Sequence, residues 1–207
     1  MPSSLQEIKL PDMMSNMDIE SMKDKLPDIM DNLVASFQPD DGRKFGERGE
    51  IYVAGQAIMV VAVAIGGGIP FLSDGLTILG PVLLLAGLAG IVLSLADLDT
   101  SFSPFTTPNP KGTGVRTTGI YQYVRHPMYT TLLATCVGWS LVTDSATRLI
   151  LTALLVGILN LKTDQEEAAL LAAFPEEYKQ YQEQVTGKFF PLELVAAVKS
   201  KVTTNNK

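Results

Sequence analysis

Histidine and cysteine are nearly missing from this chain of 207 residues, which has one of each, His126 and Cys136. A single thiol excludes an intramolecular disulfide and a cysteine-based zinc site. One histidine with no His/Cys cluster leaves a catalytic transition metal without a ligand set. Cys136 falls inside an apolar run, where a thiol behaves as a small buried hydrophobe. Basic clusters are missing as well. The formal net charge is -6 and the basic runs are short pairs such as Arg43-Lys44, so there is no electrostatic footprint for nucleic acid. The first thirty residues contain many acids and no apolar h-region, which argues against a secretory signal or a transit peptide. The ending "TTNNK" is not a lipidation signal. No repeat occurs at a solenoid period.

What is abundant is apolar sequence. Hydrophobic residues make up 46% of the chain and the mean hydropathy is +0.21, more apolar than a soluble domain of this length would be. The distribution is uneven: residues 1–50 are polar and rich in Met and Asp, while most of 51–161 is apolar. The length suits one domain. We divide the chain into a polar, amphipathic extension (1–44), a membrane domain (45–191) and a tail (192–207). In the extension, Leu5, Ile8, Met13, Met17, Ile19, Met22, Leu26, Ile29, Met30 and Leu33 are loosely helical in spacing, interrupted by Pro11 and Pro27. The pattern reads as one or two short amphipathic helices on the membrane or the main body, or as a disordered leader.

After the turn-rich "QPDDGRKFGERGE", Ile51–Phe71 and Leu76–Ala96 are uncharged runs of 21 residues each, long enough to span a hydrocarbon core of roughly 30 Å. The second carries Ala86, Gly87 and Gly90, small residues that allow close helix packing. Residues 100–120 form a loop rich in Pro and Gly. Met128–Thr143 and Thr147–Leu161 are shorter runs joined by the tight turn "TDSAT", a helical hairpin. The fourth helix is expected to continue through "KTDQEEAALLAAF", followed by an amphipathic helix over "PEEYKQYQEQV" with Pro175 in its first turn. The fold class is therefore all-α integral membrane, with about four transmembrane helices including a short C-terminal hairpin, plus an amphipathic C-terminal helix. Four spans put the N-terminus, the 97–127 loop and the C-terminus on one side. Of the 16 Lys and Arg residues only Arg148 then falls on the other, so the first side faces the cytoplasm, or stroma in a plastid.

Two polar clusters flank the hairpin on that side. One is Gly119, Tyr121, Tyr123, Arg125, His126, Pro127 and Tyr129; the other is Glu166-Glu167, followed by Tyr178 and Tyr181. An antiparallel hairpin brings its two ends together, so His126 and Glu166 could face one site. Each feature alone has a plain structural reading: Arg125 as an interfacial anchor, the tyrosines as an aromatic belt, the glutamates as a solvated face. Adjacent glutamates also point roughly 100° apart on a helix, so both need not serve one ligand.

"TTGIYQYVRHPMYTTLL" followed by "DQEEAALLAAFPEEYKQYQEQVTGKFFP" resembles the isoprenylcysteine carboxyl methyltransferase family, related to the phospholipid N-methyltransferases. The shared pattern is Gly119 and Tyr121, Arg125 to Tyr129, Glu166-Glu167, then Phe174, Tyr178, Tyr181 and Pro191. "SPFTTPNP" also resembles members of the group, and the resemblance covers about 45–191. Ile120 stands where many relatives have proline. The resemblance implies an integral-membrane methyltransferase using S-adenosylmethionine. The cofactor would be held by Gly119, Tyr121, His126, Pro127, Tyr129, Glu166 and Glu167, with Arg125 and Glu167 catalytic. The lipid or prenylated acceptor would enter from the bilayer, in an endoplasmic reticulum or plastid membrane. A prenylcysteine carboxylate, the leading acceptor, needs only a cation such as Arg125 or Arg116 to aim it. A phospholipid amine must lose a proton, which calls on a glutamate; "GTG" at 112–114 resembles the glycine pair of that group. Two other readings stand beside these, a sterol-type reductase and a non-catalytic membrane protein docking to a larger complex.

Overall fold

The computed structural model of the chain describes residues 48–66, 78–98, 102–108 and 114–190, with Gly46 and isolated positions between 24 and 34. Among these residues there are helices and no strand. They are α1 (Glu50–Ile65), α2 (Leu79–Leu98), a 3-10 turn (Gly119–Gln122), α3 (Pro127–Val142), α4 (Ala146–Ala173) and α5 (Pro175–Gln184).

Local chemistry sets the ends. Gly49 takes a left-handed φ of 79° ahead of α1, and the Glu50 carboxylate accepts from the backbone N–H of Gly46 and of Arg48, at 2.9 and 3.2 Å. Proline is the first residue of both α3 and α5, where its missing N–H costs nothing and its fixed φ is already helical. The Ser145 hydroxyl caps α4 by accepting from the Arg148 N–H at 3.3 Å. Arg148 in turn donates through Nε to the Val63 carbonyl at 2.9 Å, placing a cation at the C-terminal turn of α1.

The expected continuation of the fourth helix is present: α4 runs 28 residues through Glu166 and Glu167. Two helices, α2 and α4, are long and apolar enough to cross a membrane by length and composition. α1 and α3 have 16 residues each, about 24 Å of rise, and fall short of that test. The 21-residue run from Ile51 does not make one long helix, because α1 ends at Gly66, whose N–H bonds back to the Ala62 carbonyl at 2.8 Å. Residues 192–207 and nearly all of 1–44 lie outside the described residues. Of the extension, Leu26, Met30 and Val34 are helical and exposed.

α2 and α3 run antiparallel, as do α1 and α4 and the hairpin helices α3 and α4. α2 lies against α3 through glycines: a Cβ on Gly87 would stand 2.6 Å from the Thr135 backbone nitrogen, and one on Gly138 would stand 2.7 Å from the Leu84 Cα. Ala86 faces outward instead. Hydroxyls along the two helices bond within their own helix, Ser94 to the Gly90 carbonyl at 2.7 Å and Thr135 to the Thr131 carbonyl at 2.9 Å, so no polar group is left unmet where they sit close. α4 packs on α3 and α1 around Val63, Leu133, Cys136, Leu155 and Leu159. The opposite faces are apolar and bare: Ile65 is 77% and Ile78 80% exposed, with Ile58, Leu85 and Ile150 also open. The start of α1, the end of α2, the start of α3 and the end of α4 all meet at one end, tied by Gln165 to Tyr52 and by Ile120 to Asp97.

Candidate functional site

That shared end holds the site. Its base is the loop between α2 and α3. The Asp97 carboxylate, in the last turn of α2, accepts from the Ile120 N–H at 2.9 Å, and its carbonyl accepts from Arg116 Nε. Gly119 is left-handed at φ 64°, and a Cβ there would come 2.5 Å from the Asp97 carboxyl carbon. Glycine is thus required by a turn that brings a carboxylate against the backbone. The turn buries Tyr121, whose carbonyl accepts from the Tyr181 hydroxyl at 2.7 Å, and Tyr178 packs beside them. Burial pushes the phenols of Tyr121, Tyr178 and Tyr181 above the ordinary tyrosine range, so they act as neutral hydrogen-bonding groups.

The hairpin ends meet as its topology requires. The two glutamates diverge. Glu167 accepts from Arg125 Nε at 3.0 Å, from His126 Nε2 at 2.9 Å and from Gln182 Nε2 at 2.9 Å. Arg125 also donates from one terminal nitrogen to the carbonyls of Val185 and Thr186, at 2.9 and 2.8 Å. The backbone N–H groups of Arg125 and His126 bond to the carbonyls of Gly187 and Lys188, at 3.0 Å each. Glu167 and Arg125 therefore fasten the segment 185–189 across the start of α3. Glu166 points elsewhere. It accepts from the Tyr129 hydroxyl at 2.6 Å, lies 3.5 Å from His126 Nδ1 and 3.8 Å from the Lys162 ammonium. The His126 and Tyr129 rings stack at 5.9 Å.

An open cleft runs beside this network. Tyr121, Arg125, His126, Tyr129 and Glu166 line it; Gly119, Pro127 and Glu167 do not. The first two of these shape backbone, and Glu167 holds Arg125 and His126 in place. The rest of the lining comes from Leu98, Met128, Leu170, Phe174, Tyr178 and Tyr181, from 114–116, and from 103 and 105–108 of the loop 102–108. That loop is gripped from outside the hairpin: Thr106 donates to the Arg48 carbonyl through both N–H and hydroxyl at 3.1 Å, and Arg48 lies 4.4 Å over the Phe105 ring.

Three participants escape a reading by motif: Asp97, Lys162 and Gln182. Asp97 opens the polar "DLDT" after the second apolar run, and Lys162 is the first charge after the fourth, one turn before Glu166; these were the available signals. Gln182 offered none.

Residues 76–177 match the family model described as phospholipid methyltransferase. No curated protein shows significant similarity to the sequence. The matched segment starts just before α2 and ends in the first turn of α5. It contains Asp97, the 102–108 loop, the RHP motif and both glutamates, and leaves out α1 and the strap at 185–189. Over residues 76–177 the chain belongs to the phospholipid methyltransferase family, a group that includes the isoprenylcysteine methyltransferases.

Proposed function

We propose that the protein is a multi-pass membrane methyltransferase that uses S-adenosylmethionine and acts on a lipid-like acceptor. The observation that carries this is Glu166: a carboxylate on a cleft wall, held by Tyr129, His126 and Lys162, inside the segment matched to the family. The residues present suit the cofactor. Glu166 offers a counter-charge for an ammonium or sulfonium, and Tyr121, Tyr129 and Phe105 offer aromatic surface beside an adenine. When bound, the cofactor supplies an electrophilic methyl group on sulfur. The protein's share is mainly positioning, since in-line displacement depends on alignment of donor and acceptor. Pro127 fixes the chain where loop becomes helix, and the Arg125–Glu167 tie keeps His126 beside the cleft.

Exposed isoleucines and leucines on the outer faces of α1, α2 and α4 support immersion in lipid, which also lets an acceptor arrive laterally. Arg148, the one cation at the far end of the hairpin, supports a cytoplasm-facing site.

The acceptor turns on Arg125. A carboxylate acceptor of the isoprenylcysteine type would need a cation to aim it, and Arg125 is engaged by Glu167 and two carbonyls. The task would pass to Arg116, which also lines the cleft. An amine headgroup needs no cation to aim it, and its proton can leave to water at the open mouth of the cleft. We favour the amine on that ground. Equilibrium dialysis of labelled S-adenosylmethionine against detergent-purified protein tests the cofactor. Binding by wild type, lost in the folded fraction of Glu166→Gln, is the expected result; no binding by wild type would overturn the proposal.

A further inference from the structure

One buried charge of the site, Lys162, stands behind the cleft wall rather than on it. Lys162 is 2% exposed, and a lysine is costly to bury without compensation. An apolar side chain could pack at that position beside Leu159, so what the lysine contributes is its ammonium. The groups facing it come from three helices. From α1, Gln56 Oε1 accepts a hydrogen bond at 2.9 Å. From α3, the Tyr129 ring centroid lies 5.1 Å away, in cation–π range. From α4 itself, Glu166 stands 3.8 Å away, one turn on. Glu166 is the carboxylate within ion-pair distance of this ammonium among the described residues. Lys162 does not line the cleft, whereas Glu166 and Tyr129 do. The cation thus sits behind the wall, pressing on the two side chains that form it.

We infer that Lys162, steadied by Gln56, is a positioning residue that holds the Glu166 carboxylate aimed into the cleft beside Tyr129. The inference deepens the methyltransferase reading and rests on it. It also makes α1, which lies outside the 76–177 match, part of the working unit. A purely structural role would be a tie between α1 and α4 through Gln56. The two roles separate on substitution, because the tie needs a hydrogen bond while positioning needs a charge near Glu166.

The full chain in detergent serves as the sample, with labelled S-adenosylmethionine binding and the melting midpoint of the ligand-free protein as readouts. Lys162→Met keeps the stem and removes the charge; it should weaken cofactor binding about tenfold or more, the scale of one lost charged contact. Lys162→Arg, which restores a cation, should recover binding to within about threefold of wild type. Gln56→Glu sets a second carboxylate on the ammonium in competition with Glu166, and should weaken binding about threefold or more while the midpoint holds. Gln56→Leu removes the tie and leaves the charge; it should lower the midpoint and leave binding by the folded fraction within about threefold. Wild-type binding with Lys162→Met unchanged, or Arg no better than Met, would overturn this inference alone. Wild type failing to bind would overturn the cofactor reading and this inference with it.

Discussion

Truncating Glu167 to alanine separates a framework carboxylate from a ligand-facing one. The substitution removes the acceptor shared by Arg125, His126 and Gln182. Arg125 and Glu167 are each 12% exposed at the side chain, so the guanidinium left behind is a largely buried, half-compensated charge. Removing one partner of a buried pair costs about 3–5 kcal/mol. Arg125 keeps the Val185 and Thr186 carbonyls, which argues for the lower end, about 3 kcal/mol. At roughly 2–4 °C per kcal/mol for a chain of this size, the melting midpoint should fall by about 6–12 °C. Cys136, the one cysteine and buried, provides the assay: a thiol-reactive fluorophore in detergent reports unfolding when the side chain becomes accessible. Glu167→Gln retains an acceptor for His126 and Gln182 and should fall by less. A midpoint for Glu167→Ala within about 2 °C of wild type, with cofactor binding abolished, would refute the reasoning and make Glu167 a direct ligand.

The α2–α3 contact predicts that Gly138→Ala, whose new methyl meets the Leu84 backbone, destabilises by about 1–3 kcal/mol, read by the same Cys136 melt; an unchanged midpoint would contradict the close approach. Gly119→Ala meets both a positive φ and the Asp97 carboxylate, so it should reduce cofactor binding along with stability, by about 1–3 kcal/mol of the latter, whereas Gly157→Ala, with open space around it, should leave both within error. Alkali should unfold the protein. The folded pKa values of Tyr121, Tyr178 and Tyr181 are raised, so their stabilisation is whole below the ordinary value of 10.0 and is lost as pH rises beyond it. Melts across that range should show a fall, shallower in Tyr178→Phe; a flat profile would contradict it.

The helix starts could be read from the sequence because they depend on local chemistry: Pro127 and Pro175 begin α3 and α5 where their missing N–H is harmless. The pairing of the RHP motif with the glutamates followed from antiparallel topology alone. What stayed hidden depended on side-chain direction. Glu166 and Glu167 are neighbours in the chain, yet about 100° of helical rotation sends one to the cleft and the other to Arg125. The stop of α1 at Gly66 was masked because apolar residues continue past it, and hydropathy does not register where a backbone ladder closes. Lys162 is the first charge after an apolar run; only its packing against Gln56 and Tyr129 reveals that the charge is buried. Gln182 reaches Glu167 from a helix whose exposed face is otherwise polar.

Transfer of a labelled methyl group tests the central claim most directly. Purified protein in detergent is incubated with labelled S-adenosylmethionine and, side by side, amino-phospholipid or a prenylcysteine analogue, and the lipid phase is counted. The structure predicts label in the lipid phase with wild type, greater with the amine acceptor, and none above background with Glu166→Gln. Label reaching neither acceptor with wild type, or reaching either one undiminished in Glu166→Gln, would contradict it.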